Sequence, residues 1–312
     1  MLRSALLSAS RSDRLRQVAT DAPPARALVN RFVAGETSAD AVRATSELVA
    51  SGRLVTIDHL GEDTLDLSQA QATRDAYLEL LAALGEMLTE RSGILNLGVE
   101  GMMLMGAVAA AWTSIHASGP GWLVVLQALL ASMLVGGLTA LLHAVLVITF
   151  RVEQIVSGLA ITILAGGAGL SSYLANVWNL RNPAKHTFDK LDVFGLGDMP
   201  ILGPVLFNHT LLTYLSWVLV ALISWYLFRT RAGLQLRAVG ESPQTADAVG
   251  IDVVRTRYVH TVLGGALAGI GGVCFSLSIV PTWQDGMTAG RGWIALALVI
   301  FGFWRPLWVM IG

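Results

Sequence analysis

The composition of the chain changes near residue 85, and this change restricts its fold more than any single motif does. Residues 1–90 contain nine of the 21 Lys and Arg residues and 13 of the 22 Asp and Glu residues. From Met87 onward, long apolar runs carry scattered glycines and few charges. The chain is 54% hydrophobic and 14% charged, whereas about a quarter of the residues in a soluble domain are charged. The pattern predicts a mostly α-helical, polytopic membrane protein preceded by a small α/β segment.

The apolar runs predict about six membrane spans, because roughly 20 apolar residues cross a bilayer. The predicted spans cover residues 101–117, 122–150, 155–176, 211–228, 258–280 and 293–312. The second run is long enough to be tilted or broken. Glycines inside these runs, among them Gly136, Gly265 and Gly269, predict closely packed helices. His143 is the main polar residue within a span, and a hydrogen bond between helices is favoured over a role as a ligand.

The loops between the spans predict the orientation of the chain. Residues 229–257 contain five arginines, which places them in the cytoplasm by the positive-inside rule. Alternation then puts residues 89–99 and 151–154 on the same side and residues 177–210 outside. The outer loop also contains three basic residues.

The cytoplasmic loop contains a predicted short helix. Ser242 and Pro243 form a helix start with proline at the first position, the helix runs over residues 243–249, and Gly250 ends it. A short polar helix between two spans can dock into a groove on a partner. An ordinary amphipathic linker is the alternative.

The first 84 residues have the predicted order helix, helix, strand, helix, at residues 5–20, 38–51, 54–57 and 68–84. This order resembles one unit of a (β/α) barrel. The loop after the strand contains Asp58, His59, Glu62 and Asp63. These residues are compatible with a metal or acid/base cluster, but a solvated loop with a helix-capping acid is favoured.

Three motifs in this segment resemble the start of bacterial proline dehydrogenases, a family of flavin-dependent barrels. They are residues 31–37 (RFVAGET), 48–62 (LVASGRLVTIDHLGE) and 77–81 (YLELL). The resemblance ends at Leu84, before the family's substrate-binding arginines and most flavin contacts. One β/α unit cannot close a barrel, so we expect neither FAD binding nor dehydrogenase activity.

Five motifs in the remaining sequence resemble the permease subunits of ABC importers for branched-chain amino acids, simple sugars and nucleosides. They are residues 88–106 (LTERSGILNLGVEGMMLMG), 154–160 (QIVSGLA), 199–208 (MPILGPVLFN), 233–250 (GLQLRAVGESPQTADAVG) and 286–301 (GMTAGRGWIALALVIF). The nucleoside branch is the most similar. The resemblance implies a bacterial inner-membrane subunit that forms the pathway for a small polar solute.

The same resemblance implies partners: an ATP-binding subunit, a second permease subunit and an extracytoplasmic solute-binding protein. The chain contains no Gly-x-x-x-x-Gly-Lys-Ser/Thr loop, so it cannot hydrolyse ATP by itself and is not expected to be an enzyme. Its coupling helix to the ATPase would be Glu241–Gly250, with Glu241, Ser242, Pro243, Ala246, Asp247 and Gly250 as contact residues.

The resemblance also places Asn96, Gly98, Glu100 and Gly101 at an interruption of a helix near the solute pathway. Polar groups in such a break can bind an uncharged solute while they remain hydrogen-bonded. For Glu100, capping of a helix at the membrane surface is an equally favoured alternative.

Two further classes of site are not expected. The chain has one cysteine, Cys274, in an apolar run, which excludes an internal disulfide and a cysteine metal cluster and predicts a small buried hydrophobe. No basic patch indicates nucleic acid.

The two resemblances divide the chain into residues 1–84 and 85–312, and both parts are expected to be incomplete. Residues 73–88 are too charged to form the first span of the permease family, and the chain stops where family members continue. We therefore expect a chimera, natural or artefactual, whose permease part is truncated at both ends and whose residues 1–88 stay in the cytoplasm. The alternative is a proline dehydrogenase fragment misjoined to membrane sequence.

Overall fold

The computed structural model describes residues 67–166, 169–188, 190–192, 208–279 and 281–311. The barrel-like segment, including residues 58–63, lies outside the described residues except for its last helix. The described helices are α1 (Leu67–Arg91), α2 (Val99–His116), α3 (Gly121–Ala144), α4 (Gln154–Ala165), α5 (Leu170–Val177), α6 (Leu211–Arg229), α7 (Arg231–Glu241), α8 (Pro243–Ala248), α9 (Val253–Cys274), α10 (Arg291–Phe301) and α11 (Pro306–Ile311). Single π-helical turns, Val145–Thr149 and Phe275–Ile279, extend α3 and α9. Two short strands, β1 (Lys190–Asp192) and β2 (Asn208–Thr210), pair antiparallel with Lys190 opposite Thr210.

Four helical segments among the described residues are long and apolar enough to cross a membrane. They are Gly121–Thr149, Gln154–Val177, Leu211–Arg229 and Val253–Ser278. Each corresponds to a predicted span, which confirms the polytopic helical fold. The second segment is interrupted after Ala165, where α4 ends and Gly169 precedes α5.

The last predicted span, residues 293–312, is not one continuous helix. α10 ends at Phe301, and a turn over residues 302–305 leads into α11. Phe303 and Trp304 both have left-handed backbone angles, with φ of 51° and 52°, which a helix cannot accommodate. Pro306 then starts α11 without a backbone N–H to continue the earlier helix. The prediction of an uninterrupted span here is wrong.

Helix α9 lies at the centre of the bundle and packs against α1, α2 and α3. The contacts are backbone to backbone at two glycine pairs. A Cβ added to Gly106 of α2 would lie 2.5 Å from the carbonyl oxygen of Gly269, and one added to Gly136 of α3 would lie 2.4 Å from that of Gly265. A side chain at these positions would force the helices apart, so the close packing predicted from the glycines is present.

From Leu80 to Leu88, helix α1 is buried despite its charges, because Glu79, Glu86 and Glu90 have partners. Residues Leu80–Leu84, Met87 and Leu88 are all 5% exposed or less. Glu79 lies 3.7 Å from the guanidinium of Arg291, Glu86 accepts hydrogen bonds from Asn96, and Glu90 accepts one from Trp304. These partners explain how a helix that reads as too polar for lipid can sit inside the bundle. α1 also continues across the predicted domain boundary at residues 84 and 85.

The bundle has two ends with different loops. At one end, which we call the basic end, the Arg257 side chain donates a hydrogen bond to the carbonyl of Ser92. At the same end, the hydroxyls of Tyr258 and Thr149 are hydrogen-bonded to each other, and Arg91 donates to the carbonyl of Trp304. At the opposite end, the backbone N–H of Ala184 donates to Pro281, and the Ser114 hydroxyl donates to His186. The loops that the predicted alternation places on one side of the membrane therefore lie at the same end of the bundle.

Candidate functional site

The chain is interrupted between α1 and α2, where residues 92–98 turn back within the bundle. This is the interruption that the sequence predicts around Asn96 and Gly98. Unwound backbone inside a membrane protein needs hydrogen-bond partners from the surrounding protein. The next two features supply them.

The first support is a buried pair of side chains. Glu86 accepts hydrogen bonds from the backbone N–H of Asn96 at 3.2 Å and from its amide nitrogen at 3.0 Å. The Asn96 amide oxygen accepts from the backbone N–H of Gly98 at 3.1 Å. Both side chains are only 1% exposed. The pair fixes the turn that leads into α2.

The second support comes from α3 and α4. Gln154 Oε1 accepts from the N–H of Leu95 at 2.7 Å, and the Thr162 hydroxyl donates to the carbonyl of Leu97 at 3.0 Å. His143 Nε2 lies 3.2 Å from the carbonyl oxygen of Leu95, so it carries the proton and donates. Its Nδ1 then accepts from the Ser157 hydroxyl at 2.9 Å. His143 thus links two helices and the interruption, as the sequence favours.

Glu100, one residue into α2, binds the N-terminal end of α10. Its Oε1 accepts from the Thr288 hydroxyl at 2.5 Å and from the N–H of Gly290 at 2.8 Å. Its Oε2 accepts from the N–H of Gly292 at 2.6 Å. A carboxylate at a helix N-terminus satisfies free N–H groups and interacts favourably with the helix dipole. Glu100 therefore caps a helix, as one sequence alternative proposes, but the capped helix is α10 and the site is 6% exposed.

The local backbone makes this contact possible. Ala289 and Gly290 have left-handed φ angles of 48° and 85°, and this turn precedes the N–H groups that bind the carboxylate. A Cβ on Gly292 would lie 2.7 Å from the Cα of Glu100. A side chain at position 292 would therefore separate α10 from α2.

An open cleft of ≈ 620 Å³ lies beside Glu100. It is formed where α2 and α10 begin and where the segment of α4 and α5 is interrupted. Its wall is mainly apolar, with the Glu100 carboxylate, the Thr162 hydroxyl and the half-exposed Trp293 ring as distinct groups. The lining residues are Glu100, Leu104, Thr162, Ile163, Gly166, Gly169, Gly286, Ala289, Gly290 and Trp293.

Of the four residues predicted near the pathway, Glu100 lines the cleft. Gly98 and Gly101 instead face α4, where an added Cβ would lie 3.3 Å from the carbonyl oxygen of Gly158 and 2.9 Å from that of Ile161, respectively. Asn96 lies within the interruption. These three residues hold the backbone that carries Glu100, and a role in solute passage stays a prediction for all four.

Sequence reasoning missed four residues of this region: Glu86, Gln154, Thr162 and Thr288. Each is polar within or next to an apolar run, which is a detectable signal. Their partners are up to 188 residues away along the chain, and that separation is what hides their roles.

The predicted short helix at the basic end is present as α8. Ser242 precedes it and Pro243 is its first residue. The N–H of Gly250 donates to Asp247 and that of Ile251 to Ala246, which is a Schellman ending with glycine in the left-handed conformation, φ 83°. The helix ends at Ala248, one residue before the predicted end.

One face of α8 is available to a partner. Ala246 is 2% exposed and anchors the helix, whereas Asp247 is exposed and Val249 is 71% exposed. Glu241, the last residue of α7, is also exposed. Contact of these residues with an ATPase stays a prediction.

Cys274 is buried in α9, with its sulfur 3.7 Å from the Ile270 carbonyl oxygen. This is the environment of a small core residue, as the sequence predicts. In the part of the chain that the structure describes, no three His, Cys, Asp or Glu side chains are placed to hold a metal ion.

Comparison with known proteins identifies relatives over the membrane region. A putative glucose ABC transporter permease protein of Haloferax volcanii is 38% identical over 240 residues, which cover 76% of this chain and 70% of the relative. The guanosine ABC transporter permease protein NupQ of Bacillus subtilis is 38% identical, over 73% of this chain and 72% of the relative. The nucleoside ABC transporter permease protein NupC of Lactococcus lactis is 34% identical, over 74% of each. No solved structure matches the chain significantly.

The profile of one protein family matches residues 70–312, a stretch that starts within α1 and contains every described element after it. That family is described as the permease component of branched-chain amino acid transport systems. The match agrees with the four apolar helices and with the resemblance of the five motifs. The chain therefore belongs to this permease family and is an integral membrane protein.

Proposed function

We propose that this permease carries a small polar solute, with nucleosides the favoured class, through the cleft beside Glu100. The observation that carries the proposal is the Glu100 carboxylate, which three donors hold at the wall of an otherwise apolar cleft. Ligand sites commonly combine an apolar wall with a few fixed polar groups and occupy about 300–1,000 Å³. The cleft of ≈ 620 Å³ falls in this range.

The aromatic group of the cleft favours a nucleoside over a hexose. Trp293 is 47% exposed and lines the cleft. A tryptophan ring can stack on a flat base, while polar groups such as Thr162 and Glu100 suit the sugar hydroxyls. Two of the relatives described above are named for guanosine or nucleosides, and one is named for glucose.

The proposal assigns a separate task to each subunit of the transporter. A separate ATPase subunit supplies the energy, a second permease subunit completes the pathway, and an extracytoplasmic protein delivers the solute. The contact with the ATPase is assigned to Glu241, Ser242, Pro243, Asp247 and Gly250, whereas Ala246, which is 2% exposed, holds the short helix in place. Their position at the basic end, on and beside a short helix with an exposed face, supports this assignment.

The test is uptake of labelled guanosine and glucose into vesicles that contain the complete transporter. Glu100→Gln is expected to lower uptake about tenfold or more, because a charge-assisted hydrogen bond contributes about 1.5–3 kcal/mol. Glu153→Gln is the matched control, since Glu153 also caps a helix, α4, but lies outside the cleft.

The preference of the transporter for guanosine or for glucose decides between a nucleoside and a hexose as the solute. Trp293→Leu is expected to reduce guanosine uptake more than glucose uptake, whereas Trp308→Leu, which changes an exposed tryptophan outside the cleft, should leave both unchanged. Uptake of glucose alone by the unaltered transporter would overturn the nucleoside assignment. Equal loss in the Glu100 and Glu153 variants would overturn the role of the cleft.

A further inference from the structure

Three side chains at the basic end form a cluster that we call the clasp: Glu90, Arg91 and Trp304. Arg91 donates from Nη2 and Nε to the carbonyl oxygen of Trp304, at 2.8 Å and 3.2 Å. The indole N–H of Trp304 donates to Glu90 Oε2 at 2.5 Å. All three side chains are partly buried. The clasp thus joins the end of α1 to the turn between α10 and α11 through both the backbone and the side chain of one residue.

The clasp lies next to the segment that leads to α8. A Cβ added to Gly240 of α7 would lie 2.2 Å from the carbonyl oxygen of Arg91, so the backbones of α7 and α1 touch there. Arg257, near the start of α9, donates to the carbonyl of Ser92 at 3.2 Å. Arg91 also lies near two like charges, Arg237 and Arg305, and near the opposite charge of Glu241. A displacement of α7 and α8 would therefore also move the end of α1 that carries Glu90 and Arg91 of the clasp.

Helix α10 connects this turn with the cleft. Its N-terminal end is bound to Glu100, and the turn after its C-terminal end is bound to Glu90 and Arg91. The two attachment points lie on opposite sides of the interruption at residues 92–98. The basic end and the cleft are therefore connected twice, once through the interruption at residues 92–98 and once through the helix α10.

The left-handed backbone conformation at Phe303 and Trp304 suits a turn that has to present Trp304 to α1. Phe303 and Trp304 adopt left-handed angles that residues other than glycine rarely adopt. A turn that only had to end α10 could use glycine at these positions. The turn instead places the indole N–H and the carbonyl of a single tryptophan on two adjacent residues of α1.

We propose that Glu90, Arg91 and Trp304 are positioning residues that transmit movement of α7 and α8 to α10, and through α10 to Glu100 at the cleft. The proposal rests on the proposed function, in which α8 meets the ATPase and the cleft passes the solute. A packed helix attached at both ends moves as a unit, and coupling between distant sites requires such a connected element. No side chain of the clasp needs to touch the solute or the ATPase.

The test uses the complete transporter and the variant Trp304→Phe, which removes the indole N–H and keeps an aromatic ring. ATP-driven uptake is expected to fall about tenfold, within the range by which residues between two coupled sites change that coupling. The amount of assembled complex and the basal ATPase rate are expected to stay unchanged. Trp308→Phe, at an exposed position of α11, is the matched control and should retain uptake.

A second pair of variants separates coupling from folding. Glu90→Gln keeps an acceptor for the indole and should retain uptake, whereas Glu90→Leu should match Trp304→Phe. Combining Glu90→Leu with Trp304→Phe should lower uptake no further than either change alone, because both remove the same bond. A loss of uptake proportional to a loss of assembled complex would show a purely structural role and overturn the proposal, and unchanged uptake in Trp304→Phe would also overturn it.

A distance measurement tests the proposal independently of the solute. Spin labels at Ile294 of α10 and Leu134 of α3, both exposed, report movement of α10 in a Cys274→Ser background. ATP should change this distance in the parent transporter and in Trp308→Phe, but not in Trp304→Phe. An unchanged distance in the parent transporter would overturn the coupling role. A changed distance without uptake of any tested solute would overturn the proposed function and leave the clasp intact.

Discussion

The short helix at the basic end and the cleft beside Glu100 differ in how the chain specifies them. α8 is built from neighbours in sequence, since Pro243 starts it and Gly250 ends it within eight residues. The cleft is built from residues separated by up to 193 positions, from Glu100 to Trp293. Local signals define the proposed docking helix, and long-range contacts define the proposed solute cleft. The difference predicts that changes at the cleft are more damaging than changes at α8.

The largest effect is expected at the contact between α2 and α10. In Gly292→Ala the new Cβ would lie 2.7 Å from the Cα of Glu100, so the carboxylate must move from its donors. We expect uptake to fall about a hundredfold, as misplacement of a functional group by about 1 Å can do. Labelled-solute uptake, corrected for the amount of protein in the membrane, measures it.

The control for this change is Gly137→Ala in α3. Its Cβ would lie 3.6 Å from Val262, an ordinary contact, and uptake should persist. If both alanine variants transport at the parent rate, the cleft does not depend on the contact between Gly292 and Glu100.

A smaller effect is expected at the buried pair of Glu86 and Asn96. Asn96→Ala removes the side-chain hydrogen bond to the Glu86 carboxylate, which is 1% exposed, and keeps the bond from the backbone N–H. The unsatisfied group should lower the free energy of unfolding by about 1–3 kcal/mol. Thermal unfolding in detergent checks this, and the double variant Glu86→Leu/Asn96→Ala should recover part of the loss. A double variant less stable than the sum of its single changes would contradict a direct interaction.

The end of α8 should respond still less. Gly250 has φ 83° and no atom within 4 Å of an added Cβ, so Gly250→Ala introduces backbone strain without a clash. We expect a cost of about 1 kcal/mol, seen as about fivefold weaker binding of the ATPase subunit. Gly250→Asn should bind more tightly than Gly250→Ala, because asparagine tolerates this conformation. Equal binding by all three proteins would remove Gly250 from the docking site.

The smallest effect is expected at Ser157. Ser157→Ala removes one bond to His143, which retains its bond to the carbonyl of Leu95. We expect a loss of about 0.5–1.5 kcal/mol in the free energy of unfolding and normal uptake. A strong loss of uptake would show that His143 does more than connect α3 to α4.

The difference between local signals and long-range contacts also explains what could be predicted from the sequence. Four of the six predicted spans, the glycine contacts of α9 and the limits of α8 follow from composition and capping, and the structure confirms them within a few residues. The break between α10 and α11 was not predicted, because Gly302 and Pro306 lie in a run that otherwise reads as one span. The partner of Glu100 was also missed, since nothing near Glu100 in sequence indicates Thr288. The proline-dehydrogenase-like resemblance of residues 1–84 stays a prediction.

The pairing of the α1 carboxylates has a consequence for biogenesis. α1 is synthesised well before Arg291 and Trp304, the partners of Glu79 and Glu90, which lie 212 and 214 positions farther along the chain. Until then Glu79 and Glu90 lack the groups that offset their transfer from water, which costs several kcal/mol per charge in hydrocarbon. A nascent chain arrested before residue 291 thus carries a helix α1 that the translocon cannot release stably into lipid. Final placement of α1 in the bilayer awaits synthesis of the C-terminal segments.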